Sequence, residues 1–314
     1  MLNSTSGQAI QTVLQPTMKA FVPFLLKNKA AIQAIPPKTE TYGSHSRQKL
    51  DVYLPKEAEN STILVFFHGG GLVFGDKIIP VIPEGLVYAN LGAYYASRGL
   101  TTIIPNYRRV NFQGGGEDAV YPSGGEDVSL VMKWLETFAG QGKRDVYIMG
   151  NSAGGIHIST FLFGPSYLEQ RKLYASGKSS ITLRGVIEQA VPFHFKCADP
   201  GRHKVLETYF GTQEQIKQHC PFGLLEAVTQ SGSREDAAVP KILVLLGEYD
   251  PEDEIGEPVH DFVALWKKTW GDGIDFEMVD GHNHISPQVA LMSNDAKAEK
   301  WAEDVVKWIK GSSS

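Results

Sequence analysis

The chain has 314 residues, 42% of them hydrophobic, with a net charge of −5 and a pI near 6.0. That is enough apolar sequence to bury the core of one large domain or two small ones. Its 30 Lys and Arg are scattered without a run, so there is no basic face for a nucleic acid or an anionic membrane, and no stretch nears the roughly 20 apolar residues that span a bilayer.

Residues 1–36 carry apolar positions near helical spacing, interrupted by Pro16 and Pro23, which predicts short helices. Met1 to Thr17 has no basic start and no unbroken apolar run, so no signal peptide is expected and a cytoplasmic location is the default. Asn3-Ser4-Thr5 and Asn60-Ser61-Thr62 match the glycosylation pattern and are expected to be chance matches. Tyr42 and Leu50 to Leu54 alternate like antiparallel strands around a turn at 43–46.

Continuous apolar runs follow at 63–67, 102–104, 146–149, 185–187 and 242–246, with an alternating run at 274–279. Such runs suit strands covered on both faces of a parallel sheet. Helical patterns fall between them at 84–98, 125–139, 153–163 and 257–269, and another closes the chain at 295–310. This alternation predicts an α/β fold with a doubly wound sheet and chemistry at the carboxyl ends of its strands. Between Val191 and Pro240 the rhythm breaks into helical stretches near 202–209, 212–219 and 222–229. We read 192–238 as a helical lid inserted into a core of residues 37–314, with 1–36 as part of the same lid. Cys197 and Cys220 both fall in it; two free thiols are the expectation, and a pair cannot be inferred. No Cys/His cluster has zinc spacing.

The strongest chemical signal is Gly150-Asn151-Ser152-Ala153-Gly154-Gly155, between a strand pattern and a helix pattern. A nucleophile on a sharp strand-to-helix turn needs small neighbours, and the helix behind it favours developing negative charge. The second signal, His68-Gly69-Gly70-Gly71, follows another strand pattern. Consecutive glycines let backbone N–H groups turn toward an oxyanion with no side chain in the way. A phosphate-binding loop is disfavoured, because no Lys-Ser/Thr pair follows.

On these residues the chain resembles the hormonesensitive-lipase-like (short-chain esterase) family of α/β-hydrolases. Tyr107-Arg108, Tyr121-Pro122 with Asp127, and Leu50 to Pro55 add to the likeness, which covers roughly residues 40–310. The chain departs from it at Asn151, where the family usually has Asp, and in the 110–120 loop with its Gly114-Gly115-Gly116. The resemblance implies an α/β-hydrolase fold and a serine carboxylic-ester hydrolase acting on short-chain or aryl esters with no metal or cofactor. It selects Ser152 as nucleophile and the N–H groups of Gly70, Gly71 and Ala153 as oxyanion hole. It selects Asp250, in Tyr249-Asp250-Pro251, as the acid, with Glu248, Glu252, Asp253 and Glu254 as nearby competitors. It selects His284 as the base, with His282 as the alternative. His157 is expected to be a satisfied helix residue, and His194 a structural residue at the start of the lid.

The aromatic and apolar residues of the lid, Phe193, Phe195, Tyr209, Phe210, Phe222, Leu224 and Leu225, together with Phe21, Phe24 and Leu25, suggest an apolar substrate pocket. Each of them taken singly reads as glue between lid and core. Three other functions remain open at this level. They are an arylformamidase-like amide hydrolase, a biosynthetic lactone or carbon–carbon hydrolase, and a non-catalytic receptor on the same scaffold.

Overall fold

A computed structural model describes residues 9–79, 82–111, 117–140 and 142–312. The sequon at Asn3 and the glycines 114–116 lie outside the described residues. The chain opens with α1 (Ile10–Lys27) and α2 (Lys29–Gln33). Against expectation, α1 runs unbroken through Pro16 and Pro23. The two prolines are seven residues apart and exposed, and so are Thr12 and Lys19. Those are the residues four positions earlier, whose carbonyls each proline deprives of a donor. Water can serve them there, while Val13, Thr17 and Leu25 anchor the buried face.

An eight-stranded sheet follows, in the order β1-β2-β4-β3-β5-β6-β7-β8. β1 (Lys38–Thr41) and β2 (Lys49–Tyr53) pair antiparallel, and β2 pairs antiparallel with β4 (Thr101–Pro105). The remaining pairings are parallel, through β3 (Ile63–Phe67), β5 (Arg144–Asn151), β6 (Ile181–Gln189), β7 (Lys241–Gly247) and β8 (Ile274–Val279). Every residue of β3 and β4 is buried, as their apolar composition requires. One face carries α4 (Ser123–Ala139), α5 (Ala153–Phe163), α6 (Leu168–Ala175) and, beyond the insertion, α10 (Glu257–Thr269). The other face carries α3 (Leu86–Ala96) and α12 (Ala296–Ser312), with α1 and α2 packed against α3. This is the α/β-hydrolase architecture. β3 lies between β4 and β5, so the chain leaves its carboxyl end at a switch point where a crevice opens.

Between β6 and β7 stand α7 (His203–Phe210), α8 (Gln213–His219) and α9 (Pro221–Ser231). Their starts are local: a capping box joins Thr212 to Gln215, and Pro221 occupies the first turn of α9. Phe193 stacks on Phe262 of α10 with centroids 3.8 Å apart, and Tyr121 stacks on His219 at 4.2 Å. The aromatic residues of this insertion are therefore spent on holding it to the core. Cys197 and Cys220 are both free thiols. Among the described residues, no helix is long and apolar enough to cross a membrane.

α6, which has no clear periodicity in sequence, supplies the clamp on the far side of the insertion. Its buried Arg171 donates from Nε to the carbonyl of Ala237, where the insertion rejoins the core. Its Nη1 donates to the carbonyls of Phe161 and Gly164, at 2.8 Å each, closing the end of α5. Arg171→Met should keep the volume and strand three buried carbonyls, lowering unfolding free energy by about 2–4 kcal/mol. Urea denaturation at pH 7 measures it; a loss under about 0.5 kcal/mol would mean the clamp contributes nothing.

Candidate active site

The site is assembled by strand adjacency. β3 and β5 are parallel neighbours with Phe67 opposite Gly150, so the two glycine motifs that follow them meet in space. Ser152 sits between β5 and α5 with φ +51°, a left-handed conformation that non-glycine residues adopt at sharp turns. The turn is as tight as the sheet allows. A Cβ on Gly154 would lie 2.1 Å from the carbonyl oxygen of Phe67. The small residues of this motif are thus demanded by contact with β3, and α5 can start directly behind Ser152.

The His68-Gly71 loop wraps this turn. Gly71 has φ +62°, and Gly70, at φ +143°, is so close to Phe74 that a Cβ would meet its carbonyl at 2.1 Å. Among the described residues, the N–H groups of Gly70, Gly71 and Ala153 have no protein acceptor. His68 anchors the loop: its Nδ1 lies 2.8 Å from the Gly69 carbonyl, its Nε2 3.2 Å from Asn106 Oδ1, and its ring stacks on Tyr107. The Tyr107 hydroxyl donates to the His68 carbonyl at 2.8 Å. Next to it Asp127 is fully buried, accepting from the Arg108 backbone and guanidinium and from Gln48. The Tyr-Arg and Asp residues of the resemblance form one knot beneath the glycine loop.

Asp250 follows β7, and His284 follows β8. Asp250 Oδ1 accepts from His284 Nδ1 at 2.8 Å, and Oδ2 accepts from the Gly247 N–H, also at 2.8 Å. The four competing carboxylates lie elsewhere. Glu248 accepts from the Gly281 N–H, Glu254 pairs with Arg202, and Glu252 and Asp253 are exposed. His282 has both ring nitrogens engaged, with Ser286 Oγ at 2.9 Å and the Ala298 carbonyl at 3.0 Å. Ser152 and His284 line the same cavity, and no hydrogen bond joins them. Catalytic pairs in unliganded sites often stand apart and close only around substrate.

That cavity has a volume of about 990 Å³. Its apolar wall comes from Leu14 and Met18 of α1, from Ile79, Ile82, Val87 and Tyr88, and from Val289 of α11 (Ser286–Ala290). The insertion contributes Asp199, Gly201, Arg202 and Val205. The expected aromatic lining is therefore corrected: none of Phe193, Phe195, Tyr209, Phe210, Phe222, Leu224, Leu225, Phe21, Phe24 or Leu25 faces this cavity. Most of these side chains pack against the core, where contact removes apolar surface from water, while Phe24 stays 43% exposed. Sequence reading also missed α11, although Ser286-Pro287 is a helix-start signal. His194 bonds Asp261 outside the cavity. With Glu257 these two form a group whose ligand atoms lie within 4.8 Å, but Asp261 already accepts from Lys196 at 3.0 Å.

Burial holds three of the histidines neutral. It pushes the imidazoles of His68 and His282 down to about 4 and that of His157 down to about 3. In the unfolded chain each returns toward 6.5. The unfolded state thus binds protons first as pH falls, and stability present at neutral pH is lost below about 6.5. His157→Gln should reduce the drop in unfolding free energy between pH 7 and 4.5 by roughly 2 kcal/mol. Denaturant titrations at both pH values measure it, and an unchanged drop would show that His157 protonates freely in the fold.

The comparisons with known proteins agree with this architecture. A "probable isoprenylcysteine alpha-carbonyl methylesterase" of Arabidopsis thaliana is 30% identical over 131 residues, 41% of this chain and 28% of that protein. An isoprenylcysteine alpha-carbonyl methylesterase of the same plant is 30% identical over 139 residues, 44% of this chain and 29% of that protein. The matches thus span little more than a quarter of the length of these relatives. Esterase B from Lactobacillus rhamnosis has the same fold, with a TM-score of 0.67 at 15% identity over 96% of both chains. The BD-FAE family profile matches residues 50–221, from β2 through both glycine motifs to the start of α9, and the chain belongs to that family of α/β-hydrolase esterases.

Proposed function

We propose that this protein is a serine carboxylic-ester hydrolase working through an acyl-enzyme on Ser152. The observation that carries the reading is the 2.8 Å bond between Asp250 and His284 in a loop that faces the same cavity as Ser152. Asp250 holds the imidazole with Nδ1 protonated, which leaves Nε2 to act as base. As Ser152 Oγ attacks the ester carbonyl, its proton passes to Nε2, and Asp250 stabilises the imidazolium that results. The carbonyl oxygen becomes an oxyanion received by the N–H groups of Gly70, Gly71 and Ala153. The carbon–oxygen bond of the ester then breaks, and the alcohol leaves with the proton from His284. Water repeats the cycle: it loses a proton to His284, attacks the acyl carbon, and the acid departs as Ser152 recovers its proton.

The substrate is a small ester, short-chain or aryl, whose apolar part lies against α1, Ile79, Ile82, Val87 and α11. A second reading is favoured by the two methylesterase relatives together with the 990 Å³ apolar-walled cavity: a methyl ester of a bulky apolar acid. The insertion and α1 act as the lid, since both contribute cavity wall. No nucleic-acid partner is proposed for a chain of net charge −5. The two free thiols support a reducing, cytoplasmic compartment.

A panel of p-nitrophenyl esters from acetate to palmitate, beside methyl esters of bulky apolar acids, tests both readings. Ser152→Ala should lose about a thousandfold or more in kcat on every substrate, and an unchanged rate would remove Ser152 from its role. His284→Ala should fall by a similar factor of about a thousand. His282→Gln keeps two hydrogen-bonding groups and should lose less than about tenfold. Equal losses at the two histidines would return the base assignment to an open question.

A further inference from the structure

A buried hydrogen bond fastens the loop that carries His284 to the N-terminal helix. Asn283 Nδ2 donates to Thr17 Oγ1 at 2.9 Å across 266 residues of sequence, and both side chains are excluded from solvent. The same Asn283 shapes the loop around the base. Its Oδ1 accepts from the N–H groups of Ile285 and Ser286 at 3.0 Å each, and its own N–H donates to Ser286 Oγ at 3.0 Å. The two loop N–H groups fix the carboxamide with its oxygen toward them, which turns its nitrogen to α1, where Thr17 Oγ1 accepts and holds it. The far end of α1 is tied to the same part of the chain, through Asn28 Nδ2 to the Met292 carbonyl and Asn294 Nδ2 to Asn28 Oδ1, at 2.9 Å each. Leu14 and Met18, which flank Thr17 on α1, form cavity wall.

We infer that Thr17 is a positioning residue for His284, acting through Asn283, so that α1 belongs to the catalytic unit as well as to its cover. The inference rests on His284 being the base. Thr17 itself touches neither the cavity nor the imidazole: Thr17 Oγ1 sets the Asn283 carboxamide, the carboxamide sets the 283–286 turn, and the turn sets the ring one residue away. A displacement of about 1 Å in a reacting group can cost on the order of a hundredfold in rate. A single lost support should therefore show in turnover before it shows in binding.

The test measures kcat and KM per active site, counted by labelling Ser152 to completion with an activated phosphonate. Thr17→Val removes the acceptor at constant shape and should lower kcat per labelled site by about tenfold or more, with KM within about threefold. Thr17→Ser keeps the oxygen and should stay within about threefold of the parent in kcat. Thr17→Ala repeats the measurement should the valine variant not accumulate. The double variant Thr17→Val/Asn283→Ala should lose no more than Asn283→Ala alone, because both act through one support. A merely structural role would lower the melting temperature and the fraction of labelled sites while leaving turnover per site unchanged, and that result overturns the inference. Equal losses in the serine and valine variants, or additive losses in the double variant, also overturn it. If Ser152→Ala is inactive while Thr17→Val turns over at the parental rate, this inference alone fails; if Ser152→Ala keeps its activity, the proposed mechanism fails with it.

Discussion

The approach of α5 to the end of β3 is the constraint on which the site depends. With the Phe67 carbonyl occupying the place of a side chain at Gly154, the helix can begin immediately after Ser152 and directly beside the His68-Gly71 loop. That one contact brings together a raised serine, the start of a helix and a loop whose Gly70 and Gly71 N–H groups have no protein acceptor among the described residues. None of these would face the same point if α5 stood even one side-chain diameter further away. The strain at Ser152, a left-handed φ on a residue with a Cβ, is of a kind that costs on the order of 1–3 kcal/mol and persists only where surrounding structure over-determines it. Here the surroundings are the buried carboxyl ends of the central strands, with the Ser152 N–H held by the Gln189 carbonyl of β6 at 2.9 Å.

The buried polar groups around the site divide into those that hold and those free to change state. His68 is locked between a backbone carbonyl and Asn106 and kept uncharged by burial. Asp127 is desolvated, which raises its carboxyl above the usual range, and Arg108 and Gln48 oppose that rise. Such groups fix geometry because every alternative arrangement would leave a polar atom unpaired away from water. His284 differs from its neighbour His282 in one respect that decides its chemistry. His282 spends both nitrogens on the structure, whereas His284 spends one on a carboxylate and turns toward an open cavity. On the proposed mechanism, two imidazoles two residues apart are thereby given opposite tasks by their partners.

Much of this was legible from the residues. Apolar and alternating runs locate β2 to β8, whereas the first strand is expected at Tyr42 and lies just before it at Lys38–Thr41; α5 and α10 coincide with their periodic segments, because buried runs and amphipathic stripes are imposed by the layers that cover them. Apart from α11, what escaped had no local signature that reveals it. α1 passes through two prolines because the carbonyls they orphan face water, a fact about exposure and not about propensity. α6 lacks an apolar stripe, since its buried face is organised by Arg171 and Tyr174. The cavity wall was assigned to aromatic residues on composition, but composition cannot say which side of an insertion faces inward. For the site, the two glycine motifs announce themselves by spacing, whereas Asn283 and Thr17 meet only once the fold brings residues 266 apart into contact.

The same distinction explains why the insertion and α1 contribute so differently to the cavity. The insertion lies over the face where α4, α5 and α10 already present a deep apolar surface, so its large side chains find partners away from the opening: Phe193 on Phe262, Phe195 on Phe210, Tyr209 beside His157. What it leaves over the opening is Asp199, Gly201 and Arg202, with Val205 as the one apolar side chain among the described residues. α1 crosses the other side, packed on α3 and α11. Its apolar residues are divided between that packing and the open space next to Ser152. An apolar ligand entering there would complete the burial of Leu14, which is 37% exposed, and of Met18. At about 25 cal/mol per Å² of apolar surface removed from water, this favours ligands whose apolar part reaches α1 over those that stop at the glycine loop.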